Sequence, residues 1–151
     1  MMPESEVPMT YPEKIAYLYR YRDAVRREKT IANEIEAMRA EAARVTQALT
    51  GMPGGGDGQA IPRAVERILD AQQRLAAEAA RCAAALAEVR AAIDTVADPL
   101  RRDILTRRYI LGQRWERIAA DHNVTLRWAA KQHHRTVDAM EISPENPERV
   151  P

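Results

Sequence analysis

Apolar residues recur along the first two thirds of the chain at alternating steps of four and three. Ile31, Ile35, Met38, Ala42, Val45 and Leu49 keep that step in one stretch. Ile61, Val65, Ile68, Gln72, Leu75, Ala79, Cys82, Leu86, Val89, Ile93 and Val96 keep it through the next. A step averaging 3.5 returns side chains to one side of a slightly underwound helix, which is the seam of a coiled coil. The pattern predicts one helix from about Pro12 to Leu49. Thr10 is placed to cap it, and Pro12 is tolerated in its first turn. The first half of this helix is less regular, with Tyr11, Tyr17, Tyr19 and Tyr21 mixed among Arg20, Arg22, Arg26 and Arg27. A second helix is predicted from about Pro62 to Val96. Between them runs Thr50-Gly51-Met52-Pro53-Gly54-Gly55-Gly56-Asp57-Gly58, a turn or flexible loop, because glycine enters left-handed and extended conformations at little cost. Two long helices about such a loop suggest an antiparallel hairpin. Pairing between chains satisfies the same pattern. The Ala76-Ala77 and Ala83-Ala84-Ala85 faces leave room for a third helix.

The pattern changes at Asp98-Pro99, where Asp is a good N-cap and Pro suits the first helical position. Leu100, Ile104, Leu105 and Tyr109 form an amphipathic stripe, with Arg101, Arg102, Arg107 and Arg108 off it. Gly112 supplies a stop. Trp115, Ile118 and Ala119 open a short helix that His122-Asn123 breaks, since Asn tolerates positive φ. Thr125 caps a last helix to about Met140, with Ala129, Gln132 or His133, Val137 and Met140 on its inner side. Pro144 and Pro147 end regular structure. The expected organisation is all-α: a flexible tail at 1–11, a long-helix hairpin or coiled coil at 12–97 with its glycine loop at 50–61, a module of short helices at 98–142, and a disordered tail at 143–151.

Charge follows the same division. The net charge of +1 conceals nine basic and four acidic residues in 99–140, hence +5 there and −2 on each side of it. That concentration favours a polyanionic partner for the C-terminal third. Scarce aromatics, at 5%, and long runs rich in Ala, Arg and Glu suit helices with a thin core, which oligomerisation would enlarge. The single Cys82, set among Ala, reads as a reduced core thiol. No run of roughly 20 apolar residues is present to span a membrane. The acidic start, Met1–Val7, does not look like a signal peptide, so a cytoplasmic protein is expected.

Few residues invite chemistry of their own. The glycine loop lacks the Gly-Lys-Ser/Thr of a phosphate-cradling P-loop. His122, His133 and His134 have no Cys or carboxylate at a standard ligand spacing, and His133 and His134 point about 100° apart on a helix. No nucleophile or carboxylate pair stands out, so no enzyme, cofactor or metal is expected.

What the C-terminal third does offer is the set of parts a helix-turn-helix needs. Ala119 is small where two helices cross. Asn123 accepts the turn, Val124 plugs it and Thr125 caps the next helix. Arg127, Trp128, Lys131, His134 and Arg135 face outward from that helix, where they can reach base edges and phosphates, with Arg114 before the first helix. Thr125 itself joins this set. Arg101, Arg102, Arg107, Arg108, Arg114 and Arg117 are expected mostly to meet phosphates or solvent. Trp115 is expected to pack inward.

The run Arg107-Arg108-Tyr109-Ile110-Leu111-Gly112-Gln113-Arg114-Trp115-Glu116-Arg117-Ile118-Ala119 resembles the signature of region 4 of bacterial sigma factors, and Val124 to Arg135 resembles its recognition helix. With the Gly51–Gly56 loop and the Arg127-Trp128-Ala129-x-Lys131-x-His133 run, nearly the whole chain is similar to phage and prophage regulators near the ArpU and RinA late-gene families. The resemblance implies a sigma region-4-like helix-turn-helix that reads promoter DNA in the major groove, on a scaffold that oligomerises. Gln132 and His133 depart from it, standing where an apolar residue is usual. Nothing resembles the sigma region that melts DNA. Two other readings stay open: a protein that contacts RNA polymerase or a sigma factor, and the DNA-recognising small subunit of a phage terminase.

Overall fold

The computed structural model describes residues 7–50 and 58–142, without the side chains of 49 and 50. The expected Gly51–Gly56 loop, the first six residues of the N-terminal tail and the tail 143–151 lie outside the described residues. Among those described there are five α-helices and no strand: α1 Tyr11–Thr50, α2 Ala60–Asp94, α3 Pro99–Tyr109, α4 Trp115–Asp121 and α5 Leu126–Ala139. The protein is all-helical. Among the described residues no helix is long and apolar enough to cross a membrane.

The helices divide between two compact units. One is Asp23–Ala84; the other gathers the described residues of Met1–Arg22 and Ala85–Pro151. In the first unit, Arg27 Nε lies 2.7 Å from Glu78 Oε1 and Arg74 Nη1 lies 3.5 Å from Glu34 Oε2. Rising numbers on α1 meet falling numbers on α2, so these two segments run in opposite directions. On α1, Ile35 is buried, while Ile31, Met38, Ala42 and Val45 are half-buried, as the heptad pattern requires.

Between residues 64 and 82 the covered face of α2 differs from the expected one at every other position. Ile68, Leu75 and Cys82 are covered as expected, but Ala64, Ala71 and Glu78 replace Val65, Gln72 and Ala79. The bulkier apolar residue is the natural choice from sequence. Burying the small alanines instead lets backbones approach, and it leaves Val65 exposed together with Ile61 and Leu69. Glu78 can occupy a seam position because Arg27 and Arg81 both donate to its carboxylate.

The second unit is built on Leu18, Val89, Ile93, Leu105, Tyr109, Ile110, Val137 and Met140, so the ends of both long helices share a core with α3 and α5. The helices α3, α4 and α5 pack pairwise on one another. Their ends are set by local chemistry. Asp98 accepts from the backbone N–H of Leu100 at 2.9 Å and of Arg101 at 3.3 Å, with Pro99 first in the helix. After α3, Leu111 N–H donates to Thr106 O, Gln113 N–H donates to Arg107 O, and Gly112 turns the chain at φ +67°. After α4, Asn123 takes φ 54°, and Val124 N–H donates to Ala119 O at 3.0 Å. Thr125 Oγ1 then accepts from Trp128 N–H at 3.0 Å and opens α5. Ile118 and Ala119 are buried and Val124 half-buried, so the turn is closed by apolar contact as well as by hydrogen bonds.

Candidate nucleic-acid interface

The surface of interest is the outer side of α5 with the chain that leads into α4. Ala129, His133, Thr136, Val137 and Met140 are the buried residues at the base of α5. A helix turns 100° per residue, so Arg127, Trp128, Lys131, His134 and Arg135 lie on the opposite arc, and all five are exposed. Between Gln132 and His133, the structure selects His133 for the inner side and leaves Gln132 half-buried.

His133 is accommodated by an aromatic cluster. Its Nε2 makes a 2.6 Å hydrogen bond with the Tyr109 hydroxyl, and its ring lies edge-on to Trp115 at 4.8 Å between centroids. Tyr19 meets Tyr109 edge-on at 5.0 Å. Burial above all, then the charges of Arg108 and His134, pushes the His133 imidazole down to about 4, so it is neutral at physiological pH. Burial likewise pushes the Tyr109 hydroxyl up, with Tyr19 and Tyr11 adding to it. The expected inward packing of Trp115 is realised here, with the Arg108 guanidinium 5.2 Å from its ring centre.

The outward residues are not equivalent. The His134 ring sits 4.2 Å from the ring of Tyr11, and Lys14 Nζ donates to Asp138 O at 2.8 Å, so the first turns of α1 cover that flank of α5. The Thr125 hydroxyl is engaged as the cap. The side chains of Arg114, Arg127, Lys131 and Arg135 form no hydrogen bond or ion pair among the described residues. Trp128 is 36% exposed beside them. Arg135 also lines an open groove of about 550 Å³ with Val96, Asp98, Arg101 and Met140.

The expectation that the α3 arginines meet phosphates or solvent needs correction. Arg102 Nη1 donates to Val96 O at 3.1 Å. Arg107 binds Asp103 and Asp121, both at 2.8 Å. Arg108 donates to the Tyr19 hydroxyl at 2.8 Å and to Gln113 O at 3.1 Å. All three are half-buried because their side of α3 is covered by neighbouring segments. Arg101 lies 3.8 Å from Asp98, and Arg117, still exposed, 3.8 Å from Asp121. His122 Nε2 is 2.8 Å from Asp103 Oδ2 without hydrogen-bond alignment.

Compared with protein families, curated proteins and solved structures, the chain matches none.

Proposed function

We propose that the protein is a sequence-specific DNA-binding transcription regulator of the phage type, with α4 and α5 as a region-4-like helix-turn-helix carried on a long helical hairpin. The observation that carries this reading is the set Arg114, Arg127, Lys131 and Arg135: four exposed cationic side chains in one unit with no hydrogen bond or ion pair among the described residues. In that same unit Arg20, Arg101, Arg107 and Arg117 already face carboxylates. A 14-residue helix is about 21 Å long and enters the major groove readily. Arg127 and Lys131, one turn apart on its outer arc, reach base edges. Arg114 and Arg135 take phosphates.

The test begins with duplexes selected by the protein from a random library, then titrated by fluorescence anisotropy. Four phosphate contacts release enough counterions to lower affinity about 150-fold between 50 and 200 mM salt. An affinity that stays level across that range removes DNA as the ligand. Activity of a reporter behind the selected sequence then gives the sign of regulation.

The scaffold is proposed to pair with a second copy. Ile61, Val65 and Leu69 are exposed one turn apart on α2, and Gln72, Ala76, Ala80 and Ala83 continue the stripe. Light scattering is expected to give a mass above that of one chain, and a monomeric mass for a Val65→Glu, Leu69→Glu variant.

A further inference from the structure

Three guanidinium groups converge on the turn between α3 and α4. Arg107 Nη1 donates to Gln113 Oε1 at 3.3 Å, and Arg108 Nη1 donates to Gln113 O at 3.1 Å. The third comes from α1: a Cβ built on Gly112 would lie 2.6 Å from Arg22 Cζ, so the Arg22 guanidinium occupies the space above that glycine. Among the described residues, only Arg107 of the three has carboxylates to balance it. Among the described residues the Arg22 side chain makes no hydrogen bond or ion pair although it is half-buried, and Arg108 has no acidic partner. Two residues further on, within about 7 Å of backbone, Arg114 is exposed, and its side chain likewise has no partner among the described residues.

Like charges brought together at the edge of a protein repel, and a fold that keeps them uncompensated is poised for an anion. We propose that Arg22 and Arg114 form an oxyanion site at the α3–α4 turn that grips a phosphate of the DNA backbone. Arg108 adds its charge from behind while holding Gln113. Planar guanidinium forks match the oxygens of a phosphate or a carboxylate, and the DNA-binding reading is what makes phosphate the ligand here. Its ligand rests on the DNA-binding reading. The consequence is that the first long helix contributes to the DNA contact as well as to the scaffold.

Two measurements on the full chain separate the site from its ligand. In the first, the side-chain Nε–H signals of the arginines are followed by NMR as inorganic phosphate is added against chloride of equal ionic strength. The signals of Arg22 and Arg114 are expected to shift and saturate. In the second, Arg22→Gln is titrated with the selected duplex. Loss of one phosphate contact lowers affinity about eightfold at 100 mM salt and the salt slope by about 0.9, while Arg22→Lys retains most of both. Thermal melting followed by circular dichroism identifies any variant that fails to fold, and the phosphate arm uses the unaltered protein. Signals that phosphate leaves in place overturn the site. Shifted signals with unchanged duplex binding by Arg22→Gln overturn the DNA backbone as its ligand. An unaltered protein that responds to phosphate but binds no duplex upholds the site and removes the DNA reading.

Discussion

Tyr109 and His133, 24 residues apart, share a 2.6 Å hydrogen bond in the unit that contains α3, α4 and α5. It explains how a histidine is accommodated on the buried side of α5. The imidazole stays neutral, and its Nε2 has a partner. Its folded value of about 4 lies below the ordinary 6.5, so the unfolded chain binds the extra proton first as pH falls. Stability is therefore full above about pH 6.5 and is lost progressively down to about 4. Between pH 7 and pH 5 the expected loss is about 2 kcal/mol. Denaturant unfolding at the two values measures it. His133→Phe should remove most of that pH dependence, and a variant retaining the whole loss would place its origin elsewhere.

Gly112 and Arg22 should show coupled substitutions. Alanine at 112 must hold φ +67° and displace the Arg22 guanidinium. The backbone alone costs about 1–2 kcal/mol, and the collision adds to it. In an Arg22→Ala background the cost of Gly112→Ala should fall to the backbone part. Equal costs in both backgrounds, from a double-mutant cycle in urea, would show that the guanidinium yields freely.

These residues also show what could be read from sequence. Asp98, Gly112, Asn123 and Thr125 act on backbone within a few positions of themselves, so short windows reveal the caps and turns they make. The α2 seam was harder. Ile68, Leu75 and Cys82 stand out by size, but Ala64 against Val65 and Glu78 against Ala79 is decided by how closely α1 approaches and by Arg27, 51 residues away from Glu78. The charged surface was least legible. Arg107 and Arg127 look alike in sequence. One meets Asp121, 14 residues on, and the side chain of the other makes no hydrogen bond or ion pair among the described residues. Arg108 depends on Tyr19, 89 residues before it. Arg22 carried no local signal for its place above Gly112.

Glu78 is buried at its seam position, with Arg27 Nε at 2.7 Å and Arg81 Nη1 at 3.2 Å. The hydrogen bond from Arg27 chiefly holds its carboxyl below the usual carboxylate range, against burial, which pushes the other way. Its contribution to stability is thus present above the ordinary carboxylate value and is lost as pH falls through the lower folded one. At pH 7, Arg27→Ala should cost about 1–3 kcal/mol by taking a charged hydrogen bond from a buried acid. Glu78→Leu should be neutral or stabilising, since an apolar residue removes the desolvation cost together with the pair. Thermal unfolding of both variants checks the order. A Glu78→Leu protein less stable than Arg27→Ala would mean that the pair specifies how the segments meet.

Arg127 and Arg135 should separate by what each loses on DNA. A residue that reads a base edge contributes on the selected sequence and little on a scrambled one, whereas a phosphate contact contributes on both. Arg127→Ala is expected to weaken the selected duplex by about 1–3 kcal/mol and the scrambled duplex much less. Arg135→Ala should weaken both alike and reduce the salt slope by about 0.9. Thr125→Ala is the control for the frame that presents them. Losing the cap on Trp128 N–H should cost about 1 kcal/mol of stability, without changing the ratio of selected to scrambled affinity. If Arg127→Ala lowers both duplexes equally, the arginine holds the backbone and Lys131, one turn along the same arc, becomes the residue to test for base reading.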